Sequence, residues 1–327
     1  MMHGLLDSSY TWVNNFPDES LAFLLADAGY DVWLGNNRGN TYSKKHAWLH
    51  TDTEAFWDFS FDEMAKYDAP NTIEYVLQYT NQSQLAYVGH SEGTIQMFAM
   101  PTVRADILSK IAFFGALAPV AYVHHQKSPV IELLAVLDVG YIYELLGRKQ
   151  FLPGVYILNH IAPDMCEVVP EGCDEFLWLI CGPSHDLNAS RIEVYVSETP
   201  ADTSVKNMIH WSQGVKRERF EMYNYETKEK NEQHYNQSEP PLYDLSAVRM
   251  PLALYSGTND WLADPEDVET LRKDLPANVT KQDITVQGFD HLDFVWGMHA
   301  NTSVYLQPNL MTQIVKYLGP GKYVPPH

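Results

Sequence analysis

The chain has 327 residues and a formal net charge of −20, from 22 basic and 42 acidic side chains. Its composition is 45% hydrophobic and 13% aromatic, which excludes a disordered chain. The negative charge argues against a nucleic-acid partner, because binding a phosphate backbone needs a basic face. The acidity fits simple solubility and, equally well, an acidic working environment.

Strand and helix patterns alternate in the first third of the chain. Residues 21–28 predict a helix and residues 30–34 a strand, which ends in the turn-rich GNNRGN sequence of residues 35–40. Because this alternation continues, we expect an α/β fold, a mostly parallel sheet with helices on both faces. The later predicted elements are a helix over 61–80 interrupted at Pro70, a strand over 85–88, a helix over 94–100 and a strand over 111–117.

The alternation stops at about residue 122 and resumes near residue 248. The intervening stretch is rich in aromatic and turn residues, and we interpret it as an inserted domain. After it come predicted strands over 251–255 and 284–286 and predicted helices over 264–275 and 310–318. The predicted division is a first core part, an insertion and a second core part, at residues 1–121, 122–247 and 248–327.

Features related to secretion and membranes point in different directions. The first twenty residues have neither a basic n-region nor an apolar h-region, so we do not expect them to act as a signal peptide. The longest apolar run, residues 111–123, is too short to span a bilayer, so we expect no transmembrane segment. Sequons for N-linked glycosylation, which weakly favour the secretory pathway, occur at Asn81, Asn188, Asn236, Asn278 and Asn301.

The sequence predicts neither a metal site nor a cofactor. Its three cysteines form no CxxC pair, and the HExxH, GxGxxG and GxxxxGK[ST] motifs are absent from it. The adjacent pair His124-His125 does not have the spacing of metal ligands, and we place it on the surface. An odd number of cysteines allows at most one internal disulfide and a free thiol; the three are Cys166, Cys173 and Cys181.

The GHSEG sequence of residues 89–93 has the pattern of a nucleophile elbow. It follows the predicted strand over 85–88 and precedes a helix, which is the context that such an elbow requires. The glycines allow a sharp, strained turn that pushes the hydroxyl of Ser91 out above the sheet. The alternative is an ordinary glycine-rich turn between a strand and a helix.

A serine nucleophile needs a histidine base and an acid that orients it, in the chain order Ser, Asp, His. His291 follows a predicted strand in a GFDHL loop, whereas His299 falls in a helical stretch and His327 in a proline-rich tail. We therefore expect His291 to be the base.

Two aspartates compete for the role of the orienting acid. Asp264 precedes Pro265 and an acidic first turn, so it is fully explained as a helix N-cap. Asp260 ends the turn after the strand and has no such role, and we assign it to the triad. The oxyanion hole needs two backbone donors, for which we predict the N–H groups of Glu92 and of Leu5 in the early His-Gly sequence.

The sequence resembles the acid lipase family, the gastric and lysosomal lipases. The resemblance implies an α/β-hydrolase fold with a mainly helical cap over residues 122–247, a lid at about 151–181, and the same triad and oxyanion donors. It also implies a Cys166–Cys173 disulfide with Cys181 as the free thiol, and a family glycosylation position at Asn188. The matching stretches are HGLL, LAFLLADAGYDVWLGNNRGNTYS, FWDFSFDEMAKYDAP, YVGHSEGT, ALAPVA, NMIHWSQ, HYNQSEPPLYDL, NDWLADPEDV and DHLDFVW.

Two features of the sequence depart from the family pattern: the residue after the nucleophile and the strand before the His-Gly pair. Members usually have Gln after the nucleophile, where this chain has Glu92, and we expect this carboxyl to shift activity toward acid pH.

Members also have a strand that ends in the His-Gly pair and lies in the sheet between residues 30–34 and 85–88. Only Met1 and Met2 precede His3 here, so we expect a chain truncated at its N-terminus, with unpaired backbone groups in the sheet and poor expression or activity.

The resemblance implies a serine hydrolase that cleaves triglycerides or sterol esters and is secreted or lysosomal. We expect a monomer that meets its lipid substrate at a lipid–water interface. Apolar residues between 151 and 178 could cover an acyl-chain trench as a lid, or could simply be the core of the cap. The alternatives are a small-ester esterase or thioesterase, and an inactive, truncated lipid-binding homologue.

Overall fold

The computed structural model describes residues 1–151, 181–306 and 309–322. In this part of the chain the central sheet has four parallel strands in the order β1-β2-β5-β6, and a separate two-residue pair, β3 and β4, runs antiparallel. The strands are β1 (Leu85–His90), β2 (Ile111–Leu117), β3 (Gln150–Phe151), β4 (Thr203–Ser204), β5 (Leu252–Gly257) and β6 (Thr280–Val286).

The helices alternate with the strands of the sheet, which confirms the predicted α/β class with a parallel sheet. Between β2 and β5 the structure describes five further helices, in keeping with a mainly helical insertion. In chain order the helices are α1 (Leu21–Asp27), α2 (Phe61–Glu63), α3 (Ala69–Thr80), α4 (Glu92–Val103), α5 (Pro129–Val136), α6 (Val139–Leu146), α7 (Ile192–Glu198), α8 (Val205–Arg217), α9 (Lys228–Tyr235), α10 (Pro265–Asp274), α11 (Asp293–Trp296) and α12 (Leu310–Leu318).

The burial of each strand follows from its sequence. β2 reads IAFFGAL and is buried along its whole length, as expected for a central parallel strand covered on both faces. β5 is likewise buried throughout, whereas the polar β6 is only partly covered because it lies at the edge of the sheet. The carboxyl ends of β1, β5 and β6 therefore meet at one edge, where loops can bring side chains together.

Two expected elements differ in the structure. Residues 30–34 form no strand. Tyr30 N–H donates to the Leu25 carbonyl and the Trp33 carbonyl accepts from the Met1 amino group, so no ladder of paired backbone groups runs along this segment among the described residues. The helix expected over 61–80 is interrupted near Pro70, and the interruption is a π-helical turn over Met64–Asp68 between α2 and α3. Pro70 then lies in the first turn of α3, where proline is tolerated.

Met1 and Met2 partly occupy the gap in which we expected unpaired backbone. Met2 N–H donates to the Val88 carbonyl at 2.9 Å and its own carbonyl accepts from His90 N–H at 3.0 Å, while the Met1 carbonyl accepts from Gly35 N–H at 2.9 Å. Met1, Met2, Gly35 and Val88 also line a cavity of about 120 Å³, whose lining is largely apolar. The expectation of unpaired groups is therefore wrong at the end of β1 that leads to GHSEG.

The cap segment, defined as residues 122–247, is organised around α8. This helix is buried from Val205 to Gln213 and contacts α5 and α6. The separation of this segment as a domain stays a prediction, and most of the expected lid, residues 152–180, lies outside the described residues.

Among the helices that the structure describes, none has the length and apolar character needed to cross a membrane.

Candidate active site

Ser91 occupies the turn between β1 and α4. Its backbone lies at φ 54° and ψ −119°, a strained conformation for a residue other than glycine, and one typical of a nucleophile elbow. A Cβ on Gly89 would lie 2.7 Å from the Gly93 carbonyl, and one on Gly93 would lie 2.4 Å from the Met2 carbonyl. Both glycines are therefore required by close backbone contacts, which supports the elbow over an ordinary turn.

The structure brings His291 and Asp260 together across 31 residues of sequence. His291 Nδ1 lies 2.9 Å from each carboxylate oxygen of Asp260, and both side chains are at most 3% exposed. Asp260 Oδ1 also accepts the N–H groups of Leu262 at 2.9 Å and Ala263 at 2.7 Å. These donors hold the carboxylate in place, so that Asp260 can orient the imidazole of His291.

His90 links the histidine loop to the elbow. Its Nε2 lies 2.8 Å from the His291 carbonyl, and because a carbonyl only accepts, this nitrogen carries the proton. Burial lowers the pKa of His90 to about 3, so the ring stays neutral. Within the described residues His291 Nε2 makes no hydrogen bond, which leaves it able to accept a proton.

The rejected candidates have structural partners elsewhere. Asp264 caps α10 by accepting from Glu266 N–H at 2.9 Å, and it pairs with Lys127 Nζ at 2.7 Å, as its sequence context predicts. His299 is exposed and pairs with Asp186 at 2.5 Å. His327 lies outside the described residues.

The two expected oxyanion donors flank Ser91. A Cβ added to Gly4 would lie 3.0 Å from Ser91 Cβ, so the backbone that leads to Leu5 passes directly beside the nucleophile. In the described part of the chain neither Leu5 N–H nor Glu92 N–H has a hydrogen-bond acceptor. Two free backbone donors next to a strained serine are what an oxyanion hole requires.

Comparison with known proteins identifies relatives of this chain. A family model described as alpha/beta hydrolase fold matches residues 1–298. Human gastric triacylglycerol lipase is 44% identical over 308 residues, which cover 93% of this chain and 77% of the relative. The rat lysosomal acid lipase/cholesteryl ester hydrolase is 42% identical over 306 residues, which cover 93% of this chain and 76% of that protein.

The chain belongs to the acid lipase family of α/β hydrolases. Among solved structures, a putative lipase from Sulfolobus solfataricus aligns with a TM-score of 0.61 at 13% identity, covering 97% of this chain and 84% of that one. At this identity the likeness concerns the fold alone. In this acid lipase we propose Ser91 as the nucleophile, His291 as the base and Asp260 as the orienting acid. The contacts described above support these proposals.

Glu92 connects the elbow of this acid lipase to its cap segment. Its buried Oε1 accepts from Asn207 Nδ2 at 2.7 Å and from Trp211 Nε1 at 2.8 Å, both on α8. Burial raises the pKa of this carboxyl from 4.5 to about 7, although both donors act in the opposite direction. Glu92 therefore changes from neutral to ionised as the pH rises through about 7.

We expect Glu92→Gln to remove an alkaline loss of activity. Above pH 7 an ionised Glu92 opposes the negative charge that develops beside its own N–H, whereas glutamine stays neutral at every pH. The wild-type rate relative to the variant should therefore fall about tenfold as the pH rises through about 7. The measurement is kcat against pH with a soluble short-chain ester.

Asp7 is present in both the wild type and Glu92→Gln, so its effect on the rate cancels when the two pH profiles are divided. Burial raises its pKa to about 7 as well, and it interacts electrostatically with His291. Superimposable pH profiles of wild type and Glu92→Gln would contradict the role assigned to the Glu92 charge.

Several buried polar residues near the triad escaped the sequence analysis. Asp290 Oδ1 accepts from Leu292 and Asp293 N–H, each at 2.9 Å, and Asp293 Oδ1 accepts from Ser184 Oγ at 2.5 Å. The GFDHLD sequence could have suggested this local turn, because an aspartate readily accepts from N–H groups two and three residues later. The contact with Ser184, 109 residues away, has no such signal.

The sequons differ in their accessibility. Asn81, Asn236 and Asn278 are exposed, and Asn301 is partly buried with its Nδ2 donating to the Asp18 carbonyl. Asn188, the expected family position, is buried, and its Oδ1 accepts from Ser190. Glycosylation stays a prediction at all five.

The cysteine expectations are only partly covered by the described residues. Cys181 is a free, buried thiol, and burial raises its pKa. The expected disulfide between Cys166 and Cys173 lies outside the described residues and stays a prediction.

Proposed function

We propose that this acid lipase is a serine carboxylic-ester hydrolase that cleaves neutral lipids such as triglycerides or sterol esters. The observation that carries the proposal is the His291–Asp260 pair, held beside the Ser91 elbow in a chain that is 42–44% identical to gastric and lysosomal lipases. The names of these relatives give triacylglycerol and cholesteryl ester as the substrate classes.

In the proposed mechanism Ser91 Oγ attacks the ester carbonyl while His291 Nε2 takes its proton. Asp260 stabilises the imidazolium through Nδ1, and the N–H groups of Leu5 and Glu92 bind the oxyanion. His291 then gives the proton to the leaving alkoxide as the C–O bond breaks, which forms the acyl-enzyme. In the second half a water attacks the acyl group, His291 takes a proton from that water, and the proton returns to Ser91 as the fatty acid leaves.

The wider setting of the reaction is also a proposal. The relatives named gastric and lysosomal suggest a secreted or lysosomal location, and the neutral-lipid substrates suggest action at a lipid–water interface. We propose residues 122–247 as the cap, with the lid at about 151–181, and a monomer as the working form.

Hydrolysis of p-nitrophenyl esters of increasing acyl length tests the proposed activity. We expect turnover to rise from the acetate to the octanoate and palmitate esters, in acidic and in neutral buffer, because a lipase gains binding energy from the apolar chain. Protein treated beforehand with a fluorophosphonate serves as the control.

The result can contradict the proposal in two ways. Turnover that is highest for the acetate ester would assign a small-ester esterase instead. Soluble, folded protein without turnover of any ester would overturn the hydrolase assignment.

A further inference from the structure

His3 is buried next to the proposed oxyanion hole and uses both ring nitrogens. Its Nδ1 lies 2.8 Å from the Gly4 carbonyl oxygen. Its Nε2 lies 3.1 Å from Asn37 N and 3.1 Å from Asn40 Nδ2. The last two partners belong to the GNNRGN sequence, for which the proposed mechanism has no use.

These partners fit one tautomer of the imidazole. The Asn37 N–H can only donate, so Nε2 must be an unprotonated acceptor, and the Gly4 carbonyl can only accept, so Nδ1 must carry the proton. Burial lowers the pKa of His3 to about 4, which keeps the ring neutral down to moderately acidic pH.

The amide of Asn40 is itself fixed in the orientation that this tautomer needs. Its Nδ2 donates to Asn36 Oδ1 at 2.8 Å as well as to His3, and its Oδ1 accepts from Tyr42 N–H at 3.0 Å. A flipped amide would lose these contacts and would place an oxygen against Asn36 Oδ1. Asn40 is thus held as a donor to His3.

The Gly4 carbonyl and the Leu5 N–H are opposite ends of one planar peptide unit. A hydrogen bond that holds the carbonyl therefore also sets the direction of the N–H. We propose that His3, locked in its Nδ1–H tautomer by Asn37 and Asn40, is a positioning residue that aims the Leu5 N–H at the oxyanion. This inference rests on the proposed function of Ser91 and Leu5.

Two substitutions at His3 distinguish the contribution of the Nδ1 contact from that of the Nε2 contacts. In His3→Asn the Nδ2 occupies the position of Nδ1 and can still donate to the Gly4 carbonyl, but the contact with Asn37 and Asn40 is lost. In His3→Gln the longer side chain can still accept from Asn37 and Asn40, but it loses the donor to Gly4. The glutamine variant should therefore be the more stable one and the asparagine variant the more active one.

The test measures kcat, KM and Tm for both variants on a soluble ester. We expect kcat of His3→Gln to fall by tens of fold with KM little changed, while His3→Asn keeps a larger share of kcat despite a lower Tm. A merely structural role predicts that activity follows Tm, with His3→Gln the better enzyme. That order would overturn the inference.

The ¹⁵N resonances of the imidazole provide a readout independent of turnover. With ¹⁵N-labelled histidine, the signals that disappear in His3→Gln belong to His3, and we expect a protonated Nδ1 and a bare Nε2. A protonated Nε2 would refute the tautomer and the inference with it. Failure of the proposed function looks different: folded wild type would then turn over no ester, whatever the tautomer.

Discussion

Replacing Ser91 by alanine should lower kcat by about 10⁴- to 10⁶-fold, because it removes the hydroxyl that forms the acyl-enzyme in the proposed mechanism. The fold should be unaffected, because alanine is smaller than serine and keeps the backbone carbonyl of residue 91 that accepts from Thr94 Oγ1. The measurements are burst and steady-state hydrolysis of a p-nitrophenyl ester, together with labelling by a fluorophosphonate probe and Tm.

Ser128→Ala is a matched control. Ser128 is a buried serine whose hydroxyl has no hydrogen bond among the described residues, and it directly precedes α5 and belongs neither to the GHSEG turn nor to the proposed triad. It should keep both kcat and probe labelling. Labelling that persists in Ser91→Ala, or a loss of less than about tenfold, would place the nucleophile elsewhere.

Replacing Asp260 by asparagine should lower kcat by about 10⁴-fold at neutral pH. The amide Oδ1 can still accept from Leu262 and Ala263 N–H, so the loop should keep its shape. The amide has no negative charge, however, and it can turn its NH₂ toward His291 Nδ1. The imidazolium then loses its stabilisation and the ring adopts the wrong tautomer for accepting a proton from serine.

Asp264→Asn is the matched control for Asp260→Asn, because Asp264 is the other candidate for the orienting acid. Asparagine caps a helix about as well as aspartate, and the ion pair with Lys127 that is lost takes no part in the proposed reaction. We therefore expect kcat within a few-fold of wild type. Equal losses in the two variants, measured side by side on the same ester, would show that the assignment of Asp260 is wrong.

The sequence predicts those parts of the fold whose signal is local. β2 and β5 follow from continuous apolar runs, and the elbow follows from the two glycines around Ser91. Asp264 can be recognised as an N-cap from its neighbours alone, which leaves Asp260 as the proposed acid. In each case a few adjacent residues determine the local structure.

Other features depend on partners that are distant in the chain. The pattern of residues 30–34 suits a strand, but a strand needs a neighbour to complete its ladder, and sequence periodicity does not report the neighbour. The contact of Glu92 with Trp211 spans 119 residues and that of His3 with Asn40 spans 37. Neither has a local sequence signal, so both had to come from the structure.

The hydrogen bonds of Glu92 to Asn207 and Trp211 limit how this enzyme can be re-engineered. A chimera that exchanges the whole segment 122–247 for that of another hydrolase also removes both donors to Glu92 Oε1. A buried carboxyl without donors is costly, and its position next to the proposed oxyanion donor would no longer be fixed. Substrate range is therefore best altered by grafts that retain Asn207 and Trp211, or by exchanging Glu92 and α8 together.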